Sequence, residues 1–300
     1  RWPGSRKRRI ELQVIESARN SAVRVYRESV ARGIPGLVPL EGFRLVEDAL
    51  HAGAALEALY MAEKAAASAA GRQLAELARE RGADLIMVSD DVARRMADTR
   101  NPQGVFGIAA WAPEEGAGVL ADGAGGETPS FVILVDGISD PGNLGMIVRA
   151  AAALGAAAVV AGPGCVGFAN PKVVRASMGS IFRIPAGRAE GLEDFVRQAR
   201  TREYEIIVSD VRKGISADEL VWPRAGAERA ILAVGSEARG VSEAVCRHAT
   251  AWVKLDMSRD VESLNAASAA SILMYVLGRN VARWRGDGER ESAQGRRRAE

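Results

Sequence analysis

The chain has 300 residues, enough for two domains that each bury a core. Hydrophobic residues make up 48% and charged residues 26%, the balance of a soluble globular protein, and the longest apolar run (150 to 162) is too short to cross a bilayer. Two cysteines without a CxxC pair and two histidines far apart, His51 and His248, exclude a disulfide framework, a thiolate zinc site and a histidine metal cluster; they suit a reducing, cytoplasmic compartment.

Net charge is only +2, but basic residues bunch at "RKRR" (6 to 9) and "GRRR" (295 to 298). Such ends are either solvated tails or contacts for nucleic-acid phosphates. A charged helix is expected over 10 to 32, which makes 1 to 32 a basic arm and helix. Residues 33 to 112 alternate as a small α/β domain. "LVPL" reads as a strand and "EGFRLVEDALHAG" as a helix stopped by Gly53. Strands "LEALYMAE" and "ADLIMVSD" flank the helix "GRQLAELARERG"; the short helix "DVARRMAD" and the strand "GVFGIAAWA" follow. Residues 113 to 130, rich in Gly, Ala and acid, have the composition of a linker.

From 131 to 285 the alternation resumes, ahead of a basic tail at 286 to 300. Strands are expected at 131–136, 157–162, 205–210, 230–235 and 251–257. Helices are expected near 144–154, 170–179, 191–200 and 242–249, with a long last helix from Ser263. The strands are continuous apolar runs, which predicts a mostly parallel sheet with both faces covered. Ligands of such sheets bind outside the carboxyl ends of strands. Those ends carry Asp136, Ser209 with Asp210, Gly235-Ser236-Glu237, and Asp256-Met257.

The loop after the strand "FVILVD" has the outline of a nucleotide-binding turn, but it offers only Gly142 and Gly145. No acid ends the next strand, so a dinucleotide-binding oxidoreductase is disfavoured, and no Walker A motif is present. Asn143 is either a helix cap or a site residue. Arg149, between "MIV" and "AAAAL", is expected to lie near a core and either to find an anionic or carbonyl partner, above all Glu237, or to reach an edge. Ser263 reads equally as a helix cap.

Together, "DPGNLGMIVRAAAALGA", "GSEARGVSE" and "VESLNAASAASILMYV" resemble, in order and spacing, the three motifs of the SpoU (TrmH) family of RNA ribose 2′-O-methyltransferases. The first half, with "PLEGFRLVEDAL" and "ADTRNPQGVFGIA", resembles the family's substrate-binding domain. The likeness is to two-domain members that act on large-subunit (23S) ribosomal RNA. It implies a trefoil-knotted α/β domain of the SPOUT type and S-adenosylmethionine as cofactor. By motif position, Ser209, Gly235, Leu255, Met257, Ser263 and Leu264 would bind the cofactor. Asn143, Arg149, Glu237, Ser263 and Asn265 would carry catalysis, with Arg149 activating the ribose hydroxyl and Glu237 orienting it. The resemblance also implies a homodimer, an RNA partner and no metal. A transfer-RNA substrate, and a catalytically weak RNA-binding assembly factor of the same fold, are the alternatives. Two departures stand out: Ser236 where the family has Asn, and Leu255-Asp256-Met257 where it has Ile-Pro-Met.

Overall fold

The computed structural model describes residues 14–120, 130–223, 226–258 and 260–299, with side chains as far as Arg283. The arm at 6 to 9 and the side chains of 295 to 298 lie outside the described residues. The chain forms two compact units, 1–112 with 167–183, and 113–166 with 184–300.

In the first unit, α1 (Ser21–Arg32) is shorter than the helix expected over 10 to 32. Asn20 starts it, its side chain accepting the N–H of Ala22. Ahead of it Ile15 is extended and bridges Val88. Then follow β1 (Leu37–Glu41), α2 (Phe43–His51), β2 (Ala55–Ala62), α3 (Glu63–Ala67), α4 (Ala69–Glu80), β3 (Asp84–Val88), α5 (Asp90–Met96) and β4 (Val105–Ala110). The four-stranded sheet runs β1-β4-β2-β3, antiparallel except for β2 with β3. Tyr26, Tyr60 and Phe106 fill its core. The Tyr26 hydroxyl donates to the Leu40 carbonyl at 3.1 Å, and that of Tyr60 to Ala22 at 2.9 Å. Burial pushes both phenols well above their ordinary pKa, so both stay donors. The two motifs of this half fasten each other. Glu41 accepts the N–H of Asp98, and Gln103 accepts that of Phe43, each at 3.0 Å.

The second unit carries β5 (Glu114–Glu115), β6 (Ser130–Asp136), α6 (Pro141–Ala153) and β7 (Ala158–Ala161). After α7 (Pro171–Ala176) come β8 (Ala186–Arg188), α8 (Leu192–Thr201), β9 (Glu205–Ser209) and β10 (Ile215–Ser216). The chain ends on β11 (Arg229–Gly235), α9 (Glu243–Cys246), β12 (Ala251–Lys254) and α10 (Ala266–Ala299). Eight strands run in the order β10-β12-β9-β11-β6-β7-β8-β5, and every paired strand is parallel. Val132, Leu134, Ile206, Val208 and Ile231 pack one face against Phe195 and Val196 of α8. On the other side α10 packs against α6 and β11. Gly278 permits that approach, because a Cβ there would lie 2.5 Å from the Leu154 carbonyl oxygen.

Two segments depart from the expected boundaries. Residues 113–120, read as linker, put β5 on the sheet edge beside β8. Residues 167–183, read as part of the second domain, fold with the first: Val174, Ala169 and Phe182 join its core, and Arg175 pairs with Asp98 at 2.7 Å.

Candidate functional site

The first turn of α6 begins with Asp140, which accepts the N–H of Asn143 at 2.7 Å. Asp140 is therefore the cap, and the Asn143 side chain is free for other work. Its Nδ2 donates to Glu237 Oε1 at 3.0 Å, and its Oδ1 accepts from Asn265 Nδ2 at 2.8 Å. Glu237 Oε1 also accepts the N–H of Ala266 at 3.1 Å. Asn265, rather than Ser263, caps α10, its Oδ1 accepting the N–H groups of Ala267 and Ser268. Three segments distant in sequence thus meet in one closed hydrogen-bond network. A carboxylate at the start of α10 also suits the positive end of that helix.

The expected pair of Arg149 with Glu237 is absent. Arg149 is exposed on α6 and makes no hydrogen bond or ion pair with any described residue. The guanidinium instead reaches the surface, the other outcome open to an arginine near a core. The apolar residues around it do not enclose it; Met146, one turn earlier, is itself 49% exposed. Glu237 orients Asn143 and the start of α10 instead.

Beside the network, at the carboxyl ends of β9, β11 and β12, lies a pocket of about 420 Å³. Ser209, Gly235, Leu255, Met257, Ser263 and Leu264 all line it, as does Glu237. So do Asp210, Arg212, Arg239, Glu262 and Leu273, which sequence reasoning did not single out as site residues. The strand-end rule already pointed at Asp210, and Arg239, Glu262 and Leu273 lie inside the quoted motifs; Arg212 carried no signal in the sequence. Ser263 is exposed and bonds to no described residue. Ser236, where the family has Asn, turns inward to its own loop and accepts the N–H of Arg239 at 3.3 Å.

Gly235 has a different reason for being glycine than space for a ligand. A Cβ there would lie 2.0 Å from the Gly240 carbonyl carbon and 2.3 Å from the Val241 nitrogen. The loop 236–241 folds back over the end of β11 so closely that no side chain fits between. Among the described residues no group of His, Cys, Asp and Glu is placed to hold a metal, and no helix is long and apolar enough to cross a membrane.

An all-parallel sheet with a pocket built by loops at its carboxyl ends is the arrangement of an α/β enzyme that binds a small organic ligand. Residues 130–275 match the SpoU rRNA Methylase family, and residues 23–107 match the MRM3-like substrate binding domain. The 23S rRNA (guanosine(2553)-2′-O)-methyltransferase RlmP of Bacillus subtilis is 30% identical over 269 residues, covering 89% of this chain and 99% of that protein. The AdoMet-bound rRNA methyltransferase of Sinorhizobium meliloti superposes with a TM-score of 0.76 at 25% identity, covering 88% of this chain and 96% of that one. AviRb of Streptomyces viridochromogenes, at 23% identity and a TM-score of 0.71 over 87% of this chain and 98% of its own, shares the fold. The chain belongs to the SpoU rRNA methylase family. It is an S-adenosylmethionine-dependent RNA ribose 2′-O-methyltransferase.

Proposed function

We propose that this methyltransferase acts on 23S ribosomal RNA in the cytoplasm, with the pocket at the ends of β9, β11 and β12 as its cofactor site. The near full-length match to the Bacillus subtilis relative supports the ribosomal substrate over transfer RNA. The pocket suits the cofactor: its volume lies in the range of small-ligand sites, and it joins apolar walls (Leu255, Leu264, Leu273) to polar lips. When bound, S-adenosylmethionine supplies an electrophilic methyl group on a sulfonium.

The observation that carries the catalytic reading is the contrast along α6. Asn143 is tied into the network that sets the pocket loop, while Arg149 on the same helix is exposed and has no partner among the described residues. Arg149 is thus available to contact the ribose 2′-oxygen or the neighbouring phosphate and to stabilise charge that develops as the hydroxyl loses its proton. Asn143, Glu237 and Asn265 hold the loops; Ser263 offers its hydroxyl at the pocket lip. No oxyanion hole is needed for attack on a methyl carbon, so positioning supplies much of the acceleration.

Two architectural readings accompany this one. The match of residues 130–275 to the SpoU rRNA Methylase family supports a trefoil-knotted chain in the second unit. Met146, Ile272 and Tyr275 are 49%, 44% and 54% exposed on the packed helices α6 and α10, which supports a homodimer formed on that face. The first unit, matched to a substrate-binding domain, is the RNA-holding part.

Labelled methyl transfer to RNA from cells lacking the gene, followed by mapping of 2′-O-methyl positions, tests the proposal. Label in one ribose of 23S RNA is expected. Label in transfer RNA would replace the substrate. RNA binding with no transfer to any RNA would make the chain an assembly factor.

A further inference from the structure

The loop 236–241 supplies Ser236, Glu237, Arg239 and Gly240 to the pocket wall. Its start is fixed by the end of β11 and its middle by Glu237. Its exit is fixed by a residue outside the three motif positions considered so far. Asp136 ends β6, directly opposite Gly235 in the sheet register. Its Oδ2 accepts the backbone N–H of Ser242 at 2.7 Å. Asp136 is 7% exposed and the one charged residue among the buried polar residues described.

A buried carboxylate is costly unless a donor satisfies it, and a hydrogen bond to a charged acceptor is roughly twice as strong as a neutral one. Ser242 contributes only its N–H, since its hydroxyl is buried with no hydrogen-bond partner. The bond therefore joins a charged group on a central strand to the backbone where the pocket loop leaves. The same loop is the one that passes within 2.0 Å of a Cβ position on Gly235. Tight passage sets how close the loop lies, but not where along β6 and β11 it stops.

We infer that Asp136 is a positioning residue: its bond to the Ser242 N–H sets the pocket loop in the shape that holds the cofactor. The inference rests on the reading of this pocket as the cofactor site. Asp136 touches neither RNA nor the reacting atoms in this scheme, so its effect falls on cofactor affinity and not on the chemical step.

Two substitutions reach the same bond from opposite ends. Asp136→Asn keeps the shape and an acceptor oxygen but removes the charge. Ser242→Pro removes the donor at a position whose φ is −65°, already the proline value. Ser242→Ala keeps the N–H and removes only the hydroxyl, so an affinity loss seen with Pro and not with Ala belongs to the N–H. Calorimetric titration with S-adenosylhomocysteine should show Kd raised a few-fold in Asp136→Asn and about ten-fold in Ser242→Pro, as for loss of a hydrogen bond to a charged group. The double variant should bind no worse than Ser242→Pro, because both act through one bond. Single-turnover methyl transfer at saturating cofactor should stay within about two-fold of the parent. Circular dichroism checks that each variant is folded. Leu264→Arg fills the pocket and leaves the Asp136 bond alone. If it binds cofactor normally, the pocket reading is wrong and the inference goes with it. If it abolishes binding while folded Asp136→Asn and Ser242→Pro bind normally, or lose rate without losing affinity, or add their losses in the double variant, only the inference is overturned.

Discussion

The network at the pocket lip and the outward face of α6 and α10 treat their side chains in opposite ways. At the lip, Asn143, Glu237 and Asn265 spend their polar atoms on one another and on the backbone of α10. On the outward face Arg149 has no partner among the described residues, and Met146, Ile272 and Tyr275 present apolar surface. Groups bonded within the protein are held in place; groups left free are the ones a substrate or a second subunit can still engage. The difference separates scaffold from working residues inside a set that the motifs alone present as equals.

The largest effect should come from the scaffold. Gly235→Ala forces a Cβ into the Gly240–Val241 backbone, not into ligand space. Stability should fall by on the order of 3 kcal/mol or more, read as a lowered midpoint in denaturant. A stable Gly235→Ala protein that has merely lost cofactor would reverse the assignment. Next is Arg149→Ala. As a free group it should leave melting unmoved while single-turnover methyl transfer falls about 10²- to 10³-fold. Arg149→Lys should recover little, because a point charge does not reproduce the planar fork. A lowered melting temperature with normal turnover would return Arg149 to the scaffold.

Two smaller effects sharpen the contrast. Ile272→Glu places a charge on the exposed face of α10, so light scattering at micromolar protein should give a monomer mass with the melting curve little changed. An unaltered mass would remove that face from the assembly. Glu237→Ala strands the Asn143 amide and the Ala266 N–H. Asn143 is half-buried but Ala266 is only 5% exposed, so the cost should be about 2 kcal/mol, as for a partly buried donor left unpaired. Glu237→Gln keeps an acceptor and should restore most of it. Equal losses in both would mean that charge, not the bond, matters.

Much of the architecture was legible because its strands are continuous apolar runs. β6, β7, β9, β11 and β12 all fall within a few residues of their expected positions. β8 was not seen, because Ala186–Arg188 is short and holds a glycine. Residues 167–183 lie within the stretch matched to the methylase family, yet they pack with the first unit. Val173, Val174 and Phe182 announce burial, but a pattern of burial does not name the sheet they cover. At the site, residue types and order were readable while their partners were not. Arg149 sits between apolar stretches, so the sequence suggested enclosure. The apolar residues include exposed Met146, and α6 turns that row outward. Asn143 has a capping side chain at the start of a helix, but Asp140, three residues earlier, is an equally good cap and takes the role. Which of two competent caps is used depends on where the backbone leaves the strand.

Ser263 gives the finest test, because it belongs to the free set by bonding and to the lip by location. It lines the pocket, is exposed, and leaves the capping of α10 to Asn265. Were it scaffold, Ser263→Ala would lower melting, since a lost cap costs about 1 kcal/mol. As a free hydroxyl it should leave melting unchanged. The loss then falls on binding or turnover, and it should be modest: a neutral hydroxyl contributes about 1 kcal/mol net, which corresponds to a few-fold change. Measuring cofactor Kd and single-turnover rate on the same variant assigns that change to one step. A raised Kd with normal rate places the hydroxyl on the cofactor, and a lowered rate with normal Kd places it beside Arg149 on the RNA side. Melting lowered with both quantities unchanged would move Ser263 into the network and shrink the free set to Arg149.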